Sequence, residues 1–289
     1  MPIIVNSNIA SLNAQRNLNQ SNTALATSLQ RLSSGLRVNS AKDDAAGLAV
    51  AEGITSQVRG NQQGVRNAYD GISMAQTAEG ALGQITNNLQ RIRELATQAS
   101  NASVSSTNRS QLQKETDQLT QEIARIVQTT EFNGAQLLTG SGTAGFTFQV
   151  GSQGSANFQI STASGIDMTT SASGGIAFAA ASAVTGTGAV DITTQANASA
   201  ALNSLDTAIS NVTNVRATFG AVQNRFEAVI ANTQNYIENL SASRSRIMDA
   251  DFASETAMMT RNQILQQAGT SILGQANQVP QAALSLLRG

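Results

Sequence analysis

At both ends of this chain, apolar residues recur in alternating steps of three and four. That spacing limits the fold more than any other feature. Near the start, Leu18, Leu25, Leu29, Leu32 and Leu36 form a seam, with polar Asn22 interrupting it. Near the end, Leu265, Ala268, Ile272, Ala276, Val279, Ala283 and Leu286 form another. A mean step of about 3.5 residues is the coiled-coil period, so each seam asks for a partner helix.

The rhythm continues inward. Ile54, Val58, Val65, Ala68, Ile72, Ala75, Leu82, Ile85, Leu89, Ile92 and Ala96 predict one long helix to residue 99. Asn61 and Glu79 hold polar places in it, and a one-residue slip near Leu82 reads as a stammer. A second helix is predicted over 108–128, through Leu112, Thr116, Leu119, Ile123 and Ile126. A third covers 196–241, through Leu202, Leu205, Ile209, Val212, Val215, Phe219, Val222, Phe226, Val229, Thr233, Tyr236 and Leu240. One such seam by itself is the mark of a core helix in a bundle. Several, at both ends of one chain, favour rods that pair N-terminal with C-terminal segments.

Composition agrees with thin rods. Aromatic residues are 3% of the chain and Trp is absent, so a thick core would lack its usual fillers. Much of the apolar content is Ala, which forms helices and lets backbones approach. The fold class expected is mainly α, with long coiled-coil-like helices pairing the terminal segments around a small β-hairpin and an irregular central region.

The middle differs in kind. From Phe132 to Thr194 the only charged residues are Asp167 and Asp191. Asn133-Gly134 signals a turn. The alternation in 145–150 and again in 157–160, with turn-forming residues 151–156 between them, predicts a β-hairpin. From Ser161 to Gly188 the residues are small and polar, and a surface loop that accepts insertions near Gly174-Gly175 is expected.

Several function classes are excluded. The chain has no Cys and no His, which removes thiol nucleophiles, disulfides, Cys or His zinc sites and histidine bases. A His-Glu-x-x-His protease helix is therefore absent. With 17 basic and 18 acidic residues, and Lys42 and Lys114 as the only lysines, no basic stripe exists for nucleic acid or an acidic membrane. No apolar run approaches the roughly 20 residues that span a bilayer. The start carries neither a charged leader nor a long apolar core, so export without a cleaved Sec-type signal is expected. Adjacent Asp43 and Asp44 follow the break at Gly35 and Asn39-Ser40, and capping of the next helix explains them better than catalysis. No cofactor and no metal are expected.

Particular runs carry a resemblance to a family. Arg31-Leu-Ser-Ser-Gly-Leu-Arg-Val-Asn-Ser-Ala-Lys-Asp-Asp-Ala-Ala-Gly-Leu-Ala49 resembles bacterial flagellin closely. The opening Ile4-Val-Asn-Ser-Asn-Ile9 is similar to the family's start. Leu89-Gln-Arg-Ile-Arg-Glu-Leu-Ala96, Glu131-Phe-Asn-Gly134, Ser243-Arg-Ser-Arg-Ile-Met-Asp-Ala-Asp-Phe-Ala253 and Ala276-Asn-Gln-Val-Pro-Gln-Ala-Ala-Leu-Ser-Leu-Leu287 look like further family motifs. Hook–filament junction proteins have similar termini. They typically carry a proline soon after the paired acidic residues, and Asp43-Asp44-Ala45-Ala46-Gly47 has none. A secreted coiled-coil adhesin or needle-like protein fits the seams but not the ordered motifs.

The resemblance implies a structural, non-enzymatic subunit that polymerises into the secreted flagellar filament for motility. It implies an inner-tube coiled coil from residues 1–42 with 247–289. An outer-tube helical core would come from 43–138 with 195–246, and a β-hairpin with a variable exposed region from 139–194. The two seams would be assembly surfaces. It further implies export through the flagellar type III channel, a chaperone on the C-terminal helix, and contacts with cap and hook–filament junction proteins. By motif position, Arg91, Leu95 and Glu115 would contact Toll-like receptor 5, with Arg91 and Leu95 sharing a helix face.

Overall fold

The structure, a computed structural model, describes residues 7–140, 145–162, 168 and 190–286, with side chains to residue 278. The expected loop from Ser161 to Gly188, with the Gly174-Gly175 insertion site, lies almost wholly outside the described residues, as does the first half of the 4–9 motif.

Five long helices account for most of the chain: α1 Ile9–Ser34, α2 Ala45–Ala99, α3 Ser106–Thr129, α4 Gln195–Met248 and α5 Phe252–Leu286. Side chains that satisfy free backbone donors set their starts. Asn8 accepts from the Ser11 amide at 3.1 Å, Ser105 from Asn108 at 3.2 Å, Thr194 from Asn197 at 3.1 Å and Asp251 from Ala253 at 2.9 Å. Gly35 ends α1 in the left-handed region, φ 71°, and its amide reaches the Arg31 carbonyl at 2.8 Å. Asp44 begins α2 by accepting from Gly47 at 2.8 Å. Asp43 does something else. Its Oδ2 accepts from the Asn39 and Ser40 amides and the Ser40 hydroxyl, tying the preceding turn together.

The chain divides into two compact units. The terminal unit comprises Met1–Gln57 with Glu238–Gly289, and the central unit Val58–Ile237. In the terminal unit α1 and α5 run antiparallel. Asn8 Nδ2 donates to the Ala276 carbonyl at 2.8 Å at one end, and Arg31 lies 3.8 Å from Glu255 at the other. The links that follow α1 and α4 are joined as well. Arg37 and Ala250 amides donate to Met248 and Gly35 carbonyls at 2.6 and 2.9 Å, and Leu36 pairs with Asp249 in an antiparallel bridge.

In the central unit α3 folds back along α2. Arg91 meets Glu115 near one level, and Arg109 reaches the Ala99 carbonyl at 2.7 Å near the tight turn. α4 is antiparallel to α2, as Arg93 with Asp206 and Glu79 with Gln223 show. The core is a continuous strip. Ala68, Gly71, Ala75, Ala78, Leu82, Ile85, Leu89, Ile92, Ala96 and Ala99 of α2 are buried, in unbroken steps of three and four. Buried Ala78, not half-buried Glu79, holds the place next to Leu82, so the expected stammer is absent. Opposite lie Ala198, Ala201, Leu205, Ala208, Val212 and Phe219 of α4, with Ile123 and Val127 of α3.

Among the described residues, two small hairpins also belong to the central unit. β1 Glu131–Phe132 and β2 Ala135–Gln136 are joined by Asn133-Gly134, with φ 51° and 78°. Two consecutive left-handed residues match the twist of a two-residue hairpin. β3 Thr147–Gln149 pairs antiparallel with β4 Gln159–Ser161, Phe148 opposite Ile160. The expected hairpin is thus present, but a short 3-10 turn, Ala156–Phe158, takes the start of its second arm. It seats on α2 through close approach. Asn67 Nδ2 donates to the Gln149 carbonyl at 2.8 Å, and Gly64 lies against the Val150 carbonyl, where a Cβ would collide. Phe148 meets Phe226 edge to face, centroids 5.5 Å apart.

Candidate assembly interface

The faces that α1 and α5 turn to each other mix small and polar side chains with four leucines and a methionine. On α1 the buried and half-buried stripe is Ser11, Ala14, Leu18, Ser21, Leu25, Ser28 and Leu32. On α5 it is Glu255, Met259, Asn262, Gln266, Gly269, Leu273 and Ala276. Both alternate steps of three and four. The Ser11 hydroxyl donates to Asn277 Oδ1 at 2.8 Å, and Leu18 packs onto Gly269. The small residues among them let the two helices approach, as where Gly269 meets Leu18.

The larger apolar side chains point elsewhere. Ile9, Leu12 and Leu29 on α1 are exposed, as are Phe252, Met258, Ile264, Leu265 and Ile272 on α5, with Ile264 60% exposed. The predicted seams are therefore divided. Leu18, Leu25, Leu32 and Ala276 lie on the paired stripe, and Leu36 is half-buried at the bridge. Leu29, Leu265, Ala268 and Ile272 lie off it and face outward. The side chains of Val279, Ala283 and Leu286 lie outside the described residues. Polar Ser21, rather than Asn22, sits in the α1 stripe. Asn262, Gln266 and Gly269 are polar or small and carry no apolar signal in the sequence, although their 3–4 spacing is there to read.

Glu255 is buried and faces Arg31, the one ion pair of the terminal unit among the described residues.

A second candidate surface lies on the central unit. Arg91 Nε donates to Glu115 at 2.9 Å, and its NH1 donates to Glu94 at 2.9 Å. The hydrogen bond to Glu115, then that to Glu94, hold its pKa above the usual guanidinium value. All three side chains are about half exposed. Leu95, four residues on from Arg91, lies in a different environment. Leu95 is only 2% exposed and belongs to the core with Ile123 and Val127. Four residues come round about 40° past a full turn, enough to carry it from the surface into the core.

Among the described residues no helix is long and apolar enough to cross a membrane, and no group of three or more His, Cys, Asp or Glu could hold a metal ion.

Paired helices that still hold Leu29, Ile264, Leu265 and Ile272 outward fit an assembly subunit, a protein completed by its neighbours. The sequence relatives give that class a family. Residues 5–143 match the bacterial flagellin N-terminal helical region and residues 202–287 the C-terminal helical region. Flagellin FlaB2 of Treponema pallidum is 40% identical over 295 residues, covering 99% of this chain and 100% of that one. A flagellin of Halalkalibacterium halodurans is 42% identical over 286 residues, with the same two coverages. The crystal structure of Bacillus cereus flagellin is 31% identical, over 58% of this chain and 88% of that one, with a TM-score of 0.47. The chain belongs to the bacterial flagellin family. It is a structural protein rather than an enzyme, a filament subunit that assembles with copies of itself, and the filament its family forms is extracellular.

Proposed function

We propose that residues 1–42 with 247–289 form the inner tube of the filament, that 43–138 with 195–246 form the outer tube, and that 139–194 lie outermost. One observation carries this reading: the terminal pair, whose own seam mixes leucines with small and polar residues, leaves Leu29, Leu265 and Ile272 exposed. Each large aliphatic side chain covered by a neighbour contributes about 1.5–3 kcal/mol. Assembly therefore supplies the apolar contact that a single chain lacks. Ile272→Glu places a carboxylate in that contact with nothing to pair it. Seeded growth should stop while monomer helicity is unchanged. Filaments of normal length from this variant would overturn the assignment.

The same outward stripe on α5 suits a chaperone that covers it before export through the flagellar type III channel. Cap and hook–filament junction proteins then meet the termini of the first and last subunits. In the monomer, Arg91 and Glu115 form a contact surface for Toll-like receptor 5, and buried Leu95 positions the helix that carries Arg91. The half-exposed Arg91–Glu115 pair supports this reading. Arg91→Ala should weaken receptor signalling about tenfold or more with little change in melting temperature. Leu95→Ala should lower stability by about 2–5 kcal/mol, as core truncation does. Full signalling by Arg91→Ala in a reporter-cell titration would remove Arg91 from the contact.

A further inference from the structure

We propose that Met258 is an oxidation site that decides whether a free subunit can join the filament. This rests on the reading above, in which neighbours cover the outward stripe of α5. Among the described methionines, Met74 and Met168 are buried, Met248 and Met259 are half-buried, and Met258 is 48% exposed. Met259 belongs to the stripe that faces α1. Met258 lies about 100° round the helix from it. Leu265 follows seven residues later and Ile272 fourteen, a spacing that keeps all three on one outward face. The chain has no Cys, so no thiol competes for an oxidant.

The oxidant is hydrogen peroxide. The thioether sulfur attacks one peroxide oxygen, the O–O bond breaks and an S–O bond forms. The leaving hydroxide takes the proton from the new sulfur-bound hydroxyl and departs as water. Sulfur is oxidised by two electrons and the peroxide is reduced by two. The product is a polar sulfoxide in place of a flexible apolar side chain, and it is reversible by methionine sulfoxide reductases. Placed between Leu265 and neighbouring subunits, the sulfoxide dipole opposes burial. Once assembled, the same contact shields the sulfur from further attack.

The test uses the full chain and hydrogen peroxide, with peptide mass spectrometry at each methionine and seeded growth as readouts. Met258 should take up oxygen before Met74 and Met168. Growth should fall at least about tenfold and recover after reductase treatment. Met258→Leu should grow normally before and after peroxide, and Met258→Gln should grow as poorly as the oxidised chain. In assembled filaments Met258 should react at least about tenfold more slowly than in monomer. Normal growth of Met258-oxidised chain, with Ile272→Glu still inactive, would overturn the oxidation site and leave the assembly reading standing. Normal growth of both would overturn the two together. Loss of growth in peroxide-treated Met258→Leu would place the damage at another methionine and overturn the assignment to Met258.

Discussion

Asp191 marks the point where the chain returns from its central region to the helices. Its Oδ1 accepts from the Thr193 amide and hydroxyl at 2.8 and 2.6 Å, and its Oδ2 accepts from Asn197 at 2.6 Å. These bonds, the Thr193 hydroxyl first, favour the ionised form and lower its pKa below the usual carboxylate value. A lowered folded pKa makes the contribution to stability complete above the unfolded pKa of about 3.9. It is lost as pH falls through the lower folded value, because the unfolded chain then binds more protons. Asp191→Asn should therefore melt below wild type at neutral pH, and the two curves should converge in strong acid. A gap that is constant across the pH series would show that ionisation contributes nothing there. Gly35 and the Asn133-Gly134 pair were readable as breaks because backbone sterics decide them. Leu95 was not, because its placement depends on where α3 lies, and α3 comes from later in the chain.

At the scale of elements, period identifies a helix but not the partner each face receives. The stripe on α5 that meets α1 is Glu255, Met259, Asn262, Gln266, Gly269, Leu273 and Ala276. A search for large apolar residues selects the opposite stripe, since Leu265 and Ile272 repeat just as regularly. In α2 the choice was easier, because Leu82, Ile85, Leu89 and Ile92 both repeat and are enclosed by α3 and α4. The hairpin was legible as a hairpin from its alternation, but its seat was not. Gly60 and Gly64 of α2 provide that seat. In the structure they are the surface on which 150–152 rests, Gly64 against the Val150 backbone and Gly60 against Ser152. Gly64→Ala should displace β3 and β4 and cost about 1–3 kcal/mol. Amide exchange at 147–149 and 159–161 should rise while that along 82–96 stays slow. Unchanged exchange throughout would mean the hairpin does not depend on that approach.

The whole molecule consists of a central unit with its own enclosed core and a terminal unit with little core of its own. Phe226, Leu82, Ile85, Leu89, Ile92 and Ile123, all fully buried, belong to the central unit. The buried side chains of α1 are Ser11, Ala14 and Ser28. Truncation after Asp251 removes α5. It should abolish polymerisation and lower helicity by the share of the missing and unpaired helices, while the central unit melts cooperatively as before. Sedimentation and circular dichroism measure both, and filaments from the truncated chain would remove α5 from assembly. The bridge between the two links has a mechanical consequence. A rotating propeller pulls on its subunits, and a short single-stranded link is where a chain under tension gives way first. Here tension on α1 passes from Gly35 and Arg37 directly into Met248 and Ala250. Two backbones from opposite ends of the sequence carry it side by side, and neither link bears the load alone.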